Sequence, residues 1–399
     1  MYFDKSGMAG MQIPRFDIDL FSPDIMAAPF DAYRELRDLG PICEVPRYGL
    51  YAMGRHADVR QSLIDWEAFS SAHGVALNDT CNRYMTGTAI ASDPPQHQRF
   101  RSLLARPLAP KRLMEMQARL ADLADARVRE MVGHAPFDAM AMLARHLPLS
   151  VISEMVGLPE EGRQRMMEWA AAGFNAMGAS GVAQTDLAMP VMGEMVGYIC
   201  DANLPERFRE GSWAQALWHA VQQDELTTEE AQAILQGYVT PSLDTTIYTL
   251  GTILWLLATY QGQWEKLKSN PALITRCINE ALRFEGPARG FSRVTTRDML
   301  IGSHSLPAGA RVMTVLPAAN RDERRYPEPD CFDITRDASD HVGFGAGIHR
   351  CVGANLAMME LTVMLQAITR HVRQIEVLST KRTDSTMLRG FERLDVRLS

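Results

Sequence analysis

The chain has 399 residues, 46% hydrophobic and 22% charged, so it can bury a large core and has an ordinary globular composition. A formal net charge of −7 at pH 7 argues against general binding to nucleic acid or to anionic membranes. The six cysteines form no CxxC pair, which suits a reducing cytoplasm and weighs against zinc sites and disulfides. With neither a leader pattern nor an apolar run of membrane-spanning length, the sequence predicts a cytoplasmic protein.

In chain order, residues 33–41 form an amphipathic helical pattern closed by Gly40-Pro41, and alternating residues near 48–53 predict strands. Helical periods then dominate, over 111–132, 139–156, 161–177, 186–203, 228–260 and 271–285. Shorter strands are predicted over 293–316, coil over 319–336, a helix from Val352, and strands with turns in the last ~25 residues. The predicted fold class is mainly α with a smaller β-rich part.

The segment FGAGIHRCVG, residues 344–353, places Cys351 in a glycine-rich loop before a predicted helix. Its glycines permit a close approach of the backbone to a large planar partner. A helix N-terminus and free amides are expected to lower the pKa of the thiol and hold it as a thiolate. An isolated cysteine is most often a small buried apolar residue, but six fixed identities in ten positions are far more specific. Haem iron is the expected acceptor.

On this spacing the chain resembles the cytochrome P450 family of haem-thiolate monooxygenases. The resemblance implies one domain over residues 1–399, with about 1–28 as an N-terminal extension. It also implies haem b between the long central helix and the helix after the cysteine loop. Cys351 is then the iron ligand, and Phe344, Gly345 and Gly353 shape its surroundings. Such a thiolate pushes electron density onto iron and favours O–O cleavage.

Four further residues match the family's partners for the haem propionates. Asp93-Pro94-Pro95 predicts a helix start with Asp93 as its cap, which places His97 and Arg101 one turn apart. Either side chain alone could simply face solvent, but the two together after this start resemble the family's propionate clamp. Arg293 and His349 match its other members.

Glu280 and Arg283 stand three apart on one helical face, a spacing that permits an ion pair. In the family this pair is buried and locks the coil before the haem loop, so its implied role is structural. Cys331 stands where relatives usually place the arginine that completes the network. Arg321 and Arg336 are both open as its substitute.

Polar residues 238–246 interrupt the long apolar helix. Their hydroxyls can simply bond back to carbonyls one turn earlier. The resemblance instead makes Asp244 and Thr245 a catalytic acid–alcohol pair, in which Thr245 meets dioxygen and Asp244 relays protons from solvent.

Just before this acid, relatives usually have a small residue and glycine, whereas this chain has Pro241-Ser242. Proline removes a backbone donor and clashes with the carbonyl four residues back, at Gly237, so we expect a kinked helix. Ser242 is expected to add a hydroxyl near the oxygen site. Peroxide use is therefore an open possibility.

Several stretches resemble a narrower bacterial branch that includes O-demethylases of para-methoxybenzoate; they include residues 70–71, 147–150, 173–178, 295–298 and 388–392. The matched positions imply that an apolar cavity for a small ring includes Phe174, Met177, Pro241, Ser242, Leu243, Phe291 and Ser292. Plain core packing is an equal alternative for Met177 and Leu243.

The carboxylate-binding end of that pocket is changed in this chain. Tyr84 and Gly87 stand where relatives have arginine and serine, with Arg83 one position away, and Gln236-Gly237 replace an arginine-serine pair. Arg83 can serve if its loop shifts by one residue. Otherwise the pattern favours a neutral phenol, aryl ether or alkyl aromatic over a benzoate.

The sequence contains no flavin or iron–sulfur motif, so electrons must arrive from a partner. The family implies a ferredoxin, of the [2Fe–2S] type, with an NAD(P)H-dependent reductase. Basic residues expected on the cysteine side of the haem can attract an acidic ferredoxin. A charged face that merely contacts solvent is a nearly equal alternative. These residues are Arg99, Arg106, Lys111, Arg112 and Arg350.

The leading hypothesis is a monooxygenase that uses dioxygen to hydroxylate or O-demethylate a small aromatic compound. A peroxide-using or isomerising haem-thiolate enzyme is the second. A haem protein that binds a ligand without turnover is the third.

Overall fold

The computed structural model describes residues 11–399, and the first ten residues of the expected N-terminal extension lie outside the described part. The described α-helices are α1 Pro23–Ala27, α2 Phe30–Leu39, α3 His56–Ile64, α4 Asp79–Met85, α5 Gln96–Ala105, α6 Pro110–Met131, α7 His146–Val156, α8 Glu160–Ala176, α9 Ala183–Ile199, α10 Trp213–Gln222, α11 Thr228–Val239, α12 Asp244–Thr259, α13 Gln261–Ser269, α14 Ile274–Glu285, α15 Leu316–Asn320 and α16 Ala354–His371. The described strands are β1 Cys43–Val45, β2 Leu50–Met53, β3 Phe69–Ser70, β4 Phe137–Asp138, β5 Gly290–Thr295, β6 Met299–Ile301, β7 His304–Leu306, β8 Arg311–Val315, β9 Ile375–Arg382 and β10 Phe391–Leu398. The prediction of a mainly α fold with a smaller β-rich part is confirmed.

Most predicted helices agree with the structure to within a few residues, but the shorter helices α1, α3, α4 and α15 and the helices α10 and α13 were not predicted. Helices α10 and α13 each bury only two side chains, Ala214 with Leu217 and Trp264 with Leu267. So few buried positions produce no clear helical period. The helix predicted over 139–156 is also divided, because a π-helical turn over Met140–Ala144 precedes α7.

The central helix is α12, which is apolar around most of its circumference. Its buried residues include Ile247, Leu250, Ile253 and Leu257. A helix without a polar face is stable only when other elements surround it. This burial holds the N-terminal end of α12 at a fixed place in the core.

The long helix predicted over 228–260 is interrupted. It ends at Val239, and α12 begins at Asp244, so residues 240–243 are not helical. The expected kink at Pro241 is therefore a complete break. The chain leaves the helix before proline can clash with the carbonyl of Gly237.

A five-stranded sheet in the order β1-β2-β8-β5-β3 contributes one wall of the functional cavity. β2 and β8 are parallel, and the other pairs are antiparallel. β5 and β8 pair Phe291 with Thr314 and Arg293 with Val312. Alternate residues of a strand point to opposite faces, so Phe291 and Arg293 share one face and Ser292 has the other.

Two smaller sheets complete the β-rich part, one in the order β4-β10-β9 and one formed by β6 and β7. The described part of the expected extension packs on the fold, with Phe16 and Leu20 almost fully buried. No helix within residues 11–399 is sufficiently long and apolar to traverse a membrane.

Candidate functional site

A deep cavity lies between the α11–α12 break and the cysteine loop. α5, the end of α8, β5 and the first half of α16 supply further parts of its lining. Cys351 and Thr245 both line it, from the loop side and the helix side. The fold therefore brings together the two segments that carried the strongest sequence patterns.

Two short 3₁₀ turns, Val342–Phe344 and Gly347–His349, shape the cysteine loop. The Cys351 amide donates a hydrogen bond to the Phe344 carbonyl at 2.8 Å, which closes the loop. Gly347 has φ +67°, and a Cβ there would lie 2.5 Å from the Leu63 carbonyl oxygen. Both the left-handed backbone and the close approach require glycine at this position.

The surface of Cys351 is exposed to the cavity, which lies deep in the fold. Burial raises the pKa of its thiol, and the amides of Gly353 and Ala354 together with Arg101 and Arg350 only oppose this effect. The expectation that the loop alone lowers this pKa is therefore wrong. Coordination by a metal ion deprotonates a thiol outright, so the sulfur still fits an iron ligand.

Four nitrogen-bearing side chains line the cavity beside this loop: His97, Arg101, Arg293 and His349. Nδ1 of His97 and Nε2 of His349 are buried and have no hydrogen-bond partner within residues 11–399. The two imidazole rings have centroids 4.3 Å apart. Burial, the largest cause, and neighbouring arginines lower the pKa of His97 and bring that of His349 to about 2.

Arg293 is also buried, and the bond described for its side chain goes to the Ser292 carbonyl at 2.7 Å. Burial lowers its pKa to about 10. A buried guanidinium without an ion-pair partner is costly, and so are unpaired imidazole nitrogens. These donors fit the two carboxylates of a haem, whose plane the cysteine loop can face.

Asp93 does not cap α5 as the sequence predicted. The helix begins at Gln96, and the residue before it, Pro95, supplies no side-chain cap. The Asp93 carboxylate instead accepts hydrogen bonds from the Ser70 hydroxyl and from the Ser71 amide. It thereby fixes the start of α5, and with it His97, to the end of β3.

The break between α11 and α12 forms the opposite wall. The Thr245 hydroxyl donates to the Pro241 carbonyl at 3.3 Å, and the Ser242 hydroxyl donates to the Tyr238 carbonyl. Both side chains line the cavity. The Ser242 hydroxyl is thus engaged by the main chain, which limits the role that the sequence gave it at the oxygen site.

Asp244 lies behind this wall and does not line the cavity. Its side chain is almost fully buried, and its Oδ2 has no hydrogen-bond partner among the described residues. Burial raises the pKa of this carboxyl to about 7, although Arg145 opposes the shift. The group can therefore change its protonation state near neutral pH.

Six of the predicted pocket residues line the cavity, and they are Phe174, Met177, Gln236, Pro241, Ser242 and Phe291. Four others do not. The Ser292 hydroxyl binds the carbonyls of Gly74 and Ala76 on the other face of β5, and Leu243 is fully buried in the core. Arg83 is exposed and contacts Thr80 on the outer side of α4, and Tyr84 is 41% exposed. The structure therefore removes these four from the predicted lining.

Sequence reasoning missed many lining residues, among them Met85, Met192 and Glu360. Met85 and Met192 lie within helices α4 and α9, where nothing separates a lining residue from an ordinary core residue. Glu360 had a readable signal, because it interrupts the apolar face of α16. It is 3% exposed, its Oε1 has no partner within residues 11–399, and burial raises its pKa to about 8.

The Glu280–Arg283 pair is completely buried. Arg283 also donates to the carbonyls of Asn320 and Pro329, at 3.0 and 2.9 Å, which ties α14 to the coil before the cysteine loop. Nε of Arg336 lies 3.3 Å from Oε1 of Glu280. Arg321 pairs with Asp330 instead, so Arg336 is the third member that the sequence left open.

The basic residues expected on the cysteine side are all exposed. Arg99 differs from the others because it pairs with Glu230 at 2.9 Å. Arg106, Lys111, Arg112 and Arg350 have no ion pair described within residues 11–399, and they are the available cations of this group.

A family model described as Cytochrome P450 matches residues 203–388. The chain is 33% identical over 395 residues to cytochrome p450 CYP199A2 of Rhodopseudomonas palustris, covering 98% of this chain and 96% of that protein. It is 31% identical over 393 residues to vitamin D(3) 25-hydroxylase of Pseudonocardia autotrophica, covering 95% and 96%. A crystal structure of the myxobacterial cytochrome P450 CYP267B1 with myristic acid has a TM-score of 0.82 at 28% identity, covering 94% of this chain and 98% of that one. The name of one of these proteins mentions vitamin D(3), and the crystal structure of another contains myristic acid. The similarity therefore assigns no single substrate to this chain.

Proposed function

Since the chain belongs to the cytochrome P450 family, we propose that it hydroxylates or oxidatively O-demethylates a small aromatic substrate with electrons from a ferredoxin. It is a haem b-dependent monooxygenase. The observation that carries the substrate proposal is the apolar part of the cavity lining. Its large side chains include Phe174, Phe291 and three methionines, Met85, Met177 and Met192.

In this proposal Cys351 would hold the haem iron, while His97, Arg101, Arg293 and His349 would hold the propionates. The haem would supply a redox-active iron that can activate dioxygen. Gly347 lets the loop pack closely on Leu63. The buried network of Glu280, Arg283 and Arg336 fixes the coil that leads into this loop.

Asp244 and Thr245 are proposed to manage protons at the opposite wall. Thr245 lines the cavity with a hydroxyl whose bond to the Pro241 carbonyl is long, at 3.3 Å, and the buried Asp244 beside it in the chain would hold a proton. A carboxyl with a pKa near the working pH can both give and regain a proton. Asp244 is therefore the better reservoir, and Thr245 is the group that can reach a reactant.

The aromatic class of the substrate is supported by the chemistry of the wall. Methionine sulfur makes favourable contacts with aromatic rings, and its flexible side chain fits rings of different outline. Phenylalanine adds edge-to-face or offset contacts. A small flat substrate can use both kinds of contact, whereas an extended chain would need a longer apolar channel.

A ferredoxin donor fits the exposed cations around the loop, Arg106, Lys111, Arg112 and Arg350, because opposite charge speeds encounter with an acidic partner. We place this reaction in the cytoplasm, where reductants for a ferredoxin reductase are available. The NAD(P)H-dependent reductase and the [2Fe–2S] type of ferredoxin are parts of the same proposal.

A titration of the haem-loaded protein with methoxyarenes, alkylarenes and benzoates tests the substrate class. Binding of a productive substrate should shift the Soret band from low spin to high spin. Absence of a shift with every arene, together with turnover of an unrelated molecule, would contradict the proposal.

Peroxide use remains a second candidate, favoured by the helix break at Pro241-Ser242. Reconstitution with NADH, reductase and ferredoxin should be compared with reconstitution by peroxide alone. We expect oxidised product in the first mixture. Product formed only with peroxide would support the second candidate.

A further inference from the structure

The charged groups of the cavity are concentrated beside the cysteine loop. His97, Arg101, Arg293 and His349 form one cluster, and Glu360 lies on α16 just beyond the loop. The remaining lining in the described part of the chain contains no Asp, Glu, Lys, Arg or His side chain. A substrate that occupies the other half of the cavity therefore meets no charged partner there.

Gln236 stands out in that uncharged half. It lies on α11, lines the cavity and is only half-buried. Its main-chain carbonyl accepts a hydrogen bond from the Thr240 amide at 3.2 Å. No hydrogen bond is described for its side-chain amide within residues 11–399. A donor and an acceptor are thus both available to a ligand.

The hydroxyls of the same lining are largely committed to the main chain. Thr88 donates to the Met85 carbonyl at 2.7 Å, and Thr249 donates to the Thr245 carbonyl at 2.7 Å. Ser242 and Thr245 donate to carbonyls at the helix break. The Tyr238 hydroxyl donates to the Leu104 carbonyl, and Thr246 belongs to α12 beside Thr245, so Gln236 is the uncommitted polar side chain of the lining on α11.

Gln236 and Thr245 lie on the two sides of the break between α11 and α12, and both line the cavity. A ring with one substituent at each end, held in this cavity, has the Gln236 amide on the α11 side of the break and Thr245 on the α12 side. The flanking residue Gly237 has no side chain that would block the approach.

We propose that Gln236 is a specificity-determining residue that binds a neutral hydrogen-bonding group of the aromatic substrate, such as a carboxamide or phenol, and disfavours a carboxylate. This inference rests on the proposed function of the cavity. A carboxamide exchanges a donor and an acceptor with the glutamine amide. A carboxylate would be desolvated there without a cation to compensate.

The test uses Soret titrations of the haem-loaded protein with 4-methoxybenzamide, 4-methoxyphenol, methoxybenzene and 4-methoxybenzoate. We expect the Kd of the benzamide to be about 10-fold or more below the Kd of the benzoate. A tenfold ratio corresponds to the contribution of about one hydrogen bond. The ratio of the benzamide Kd to the methoxybenzene Kd should rise about 10-fold in Gln236→Leu. Gln236→Arg should gain affinity for the benzoate.

Gln232→Leu is the matched control. Gln232 lies one turn earlier on α11, outside the cavity lining, with its Oε1 accepting from the Cys200 thiol at 3.6 Å. This variant should keep the wild-type order of affinities. It separates loss of the Gln236 contact from a general effect of replacing glutamine on this helix.

Wild-type binding of 4-methoxybenzoate as tight as that of the benzamide would overturn the inference. An unchanged benzamide-to-methoxybenzene ratio in Gln236→Leu would overturn it as well. In either case a spectral shift with methoxybenzene would leave the proposed function standing. No shift with any of the four arenes would overturn both proposals.

Discussion

Arg283 donates two hydrogen bonds to the Glu280 carboxylate, with Nε 2.7 Å from Oε2 and Nη2 2.8 Å from Oε1. Both side chains have no exposed surface. Arg283 uses its remaining nitrogen, Nη1, on carbonyls of the coil that precedes the cysteine loop. A bond between neighbouring turns of one helix therefore also determines where a distant loop lies.

Removing one member of this pair is expected to destabilise the protein strongly. Glu280→Gln leaves Arg283 buried without a carboxylate, which costs about 3–5 kcal/mol. Arg336→Leu should cost less, because Arg336 gives Glu280 one bond of 3.3 Å, makes its other bonds to main-chain carbonyls and is partly exposed. Chemical unfolding of the two variants measures the difference. Equal losses would contradict the assignment of Arg283 as the principal partner.

Gly347→Ala is expected to weaken haem retention. The new Cβ would lie 2.5 Å from the Leu63 carbonyl oxygen at a positive φ of +67°. Gly345→Ala is the matched control, since Gly345 has φ +69° but its nearest heavy atom lies 3.8 Å from the added Cβ. Both variants place a Cβ on a backbone with positive φ, which costs on the order of 1–3 kcal/mol, and only the first also clashes. Haem occupancy after gel filtration should therefore fall further in Gly347→Ala, and the reverse order would exclude the clash as the cause.

Asp244→Asn should slow product formation by roughly 100-fold, as expected for loss of a general acid. Because the pKa of Asp244 is raised to about 7, the wild-type rate should decline as pH rises through 7 and the acid form is lost. The variant cannot ionise and should lack this decline. A pH–rate profile at saturating ferredoxin measures both effects, and the same decline in the variant would assign it to another group.

Glu360→Gln should increase the free energy of unfolding at alkaline pH. The folded-state pKa of Glu360 is about 8, above the ordinary value of 4.5, so the folded state binds this proton more tightly than the unfolded state does. The stabilisation by this proton is complete below pH 4.5 and is lost as pH rises to about 8. The gain of the variant over wild type should therefore grow across that range, to on the order of 5 kcal/mol at most. A difference in the free energy of unfolding between Glu360→Gln and wild type that does not change with pH would contradict the raised pKa of Glu360.

Much of the site could be predicted from sequence because short motifs fix local geometry. The FGAGIHRCVG segment specifies a loop, and the placement of His97, Arg101, Arg293 and His349 beside Cys351 agrees with the resemblance. Successive side chains of β5 point to opposite faces of the sheet. Because Phe291 and Arg293 share the face toward the cavity, this alternation alone excludes Ser292 from the cavity lining.

Other features depend on contacts that no local pattern contains. The pKa of Cys351 is set by burial of the whole loop rather than by its own amides. The choice of Arg336 over Arg321 depends on how the coil folds back on α14. Pro241 indicated a disturbance of the helix, but whether a helix kinks or breaks depends on the packing of both halves.

Haem ligation by Cys351 is the central claim, and the carbon monoxide difference spectrum of the reduced, haem-loaded protein tests it most directly. The wild type and Cys331→Ser, which removes an exposed cysteine outside the cavity, should both show the long-wavelength Soret band of a thiolate-ligated haem. Cys351→Ser should bind haem without that band. A thiolate-type band that persists in Cys351→Ser, or that is absent from the wild type, would contradict the account.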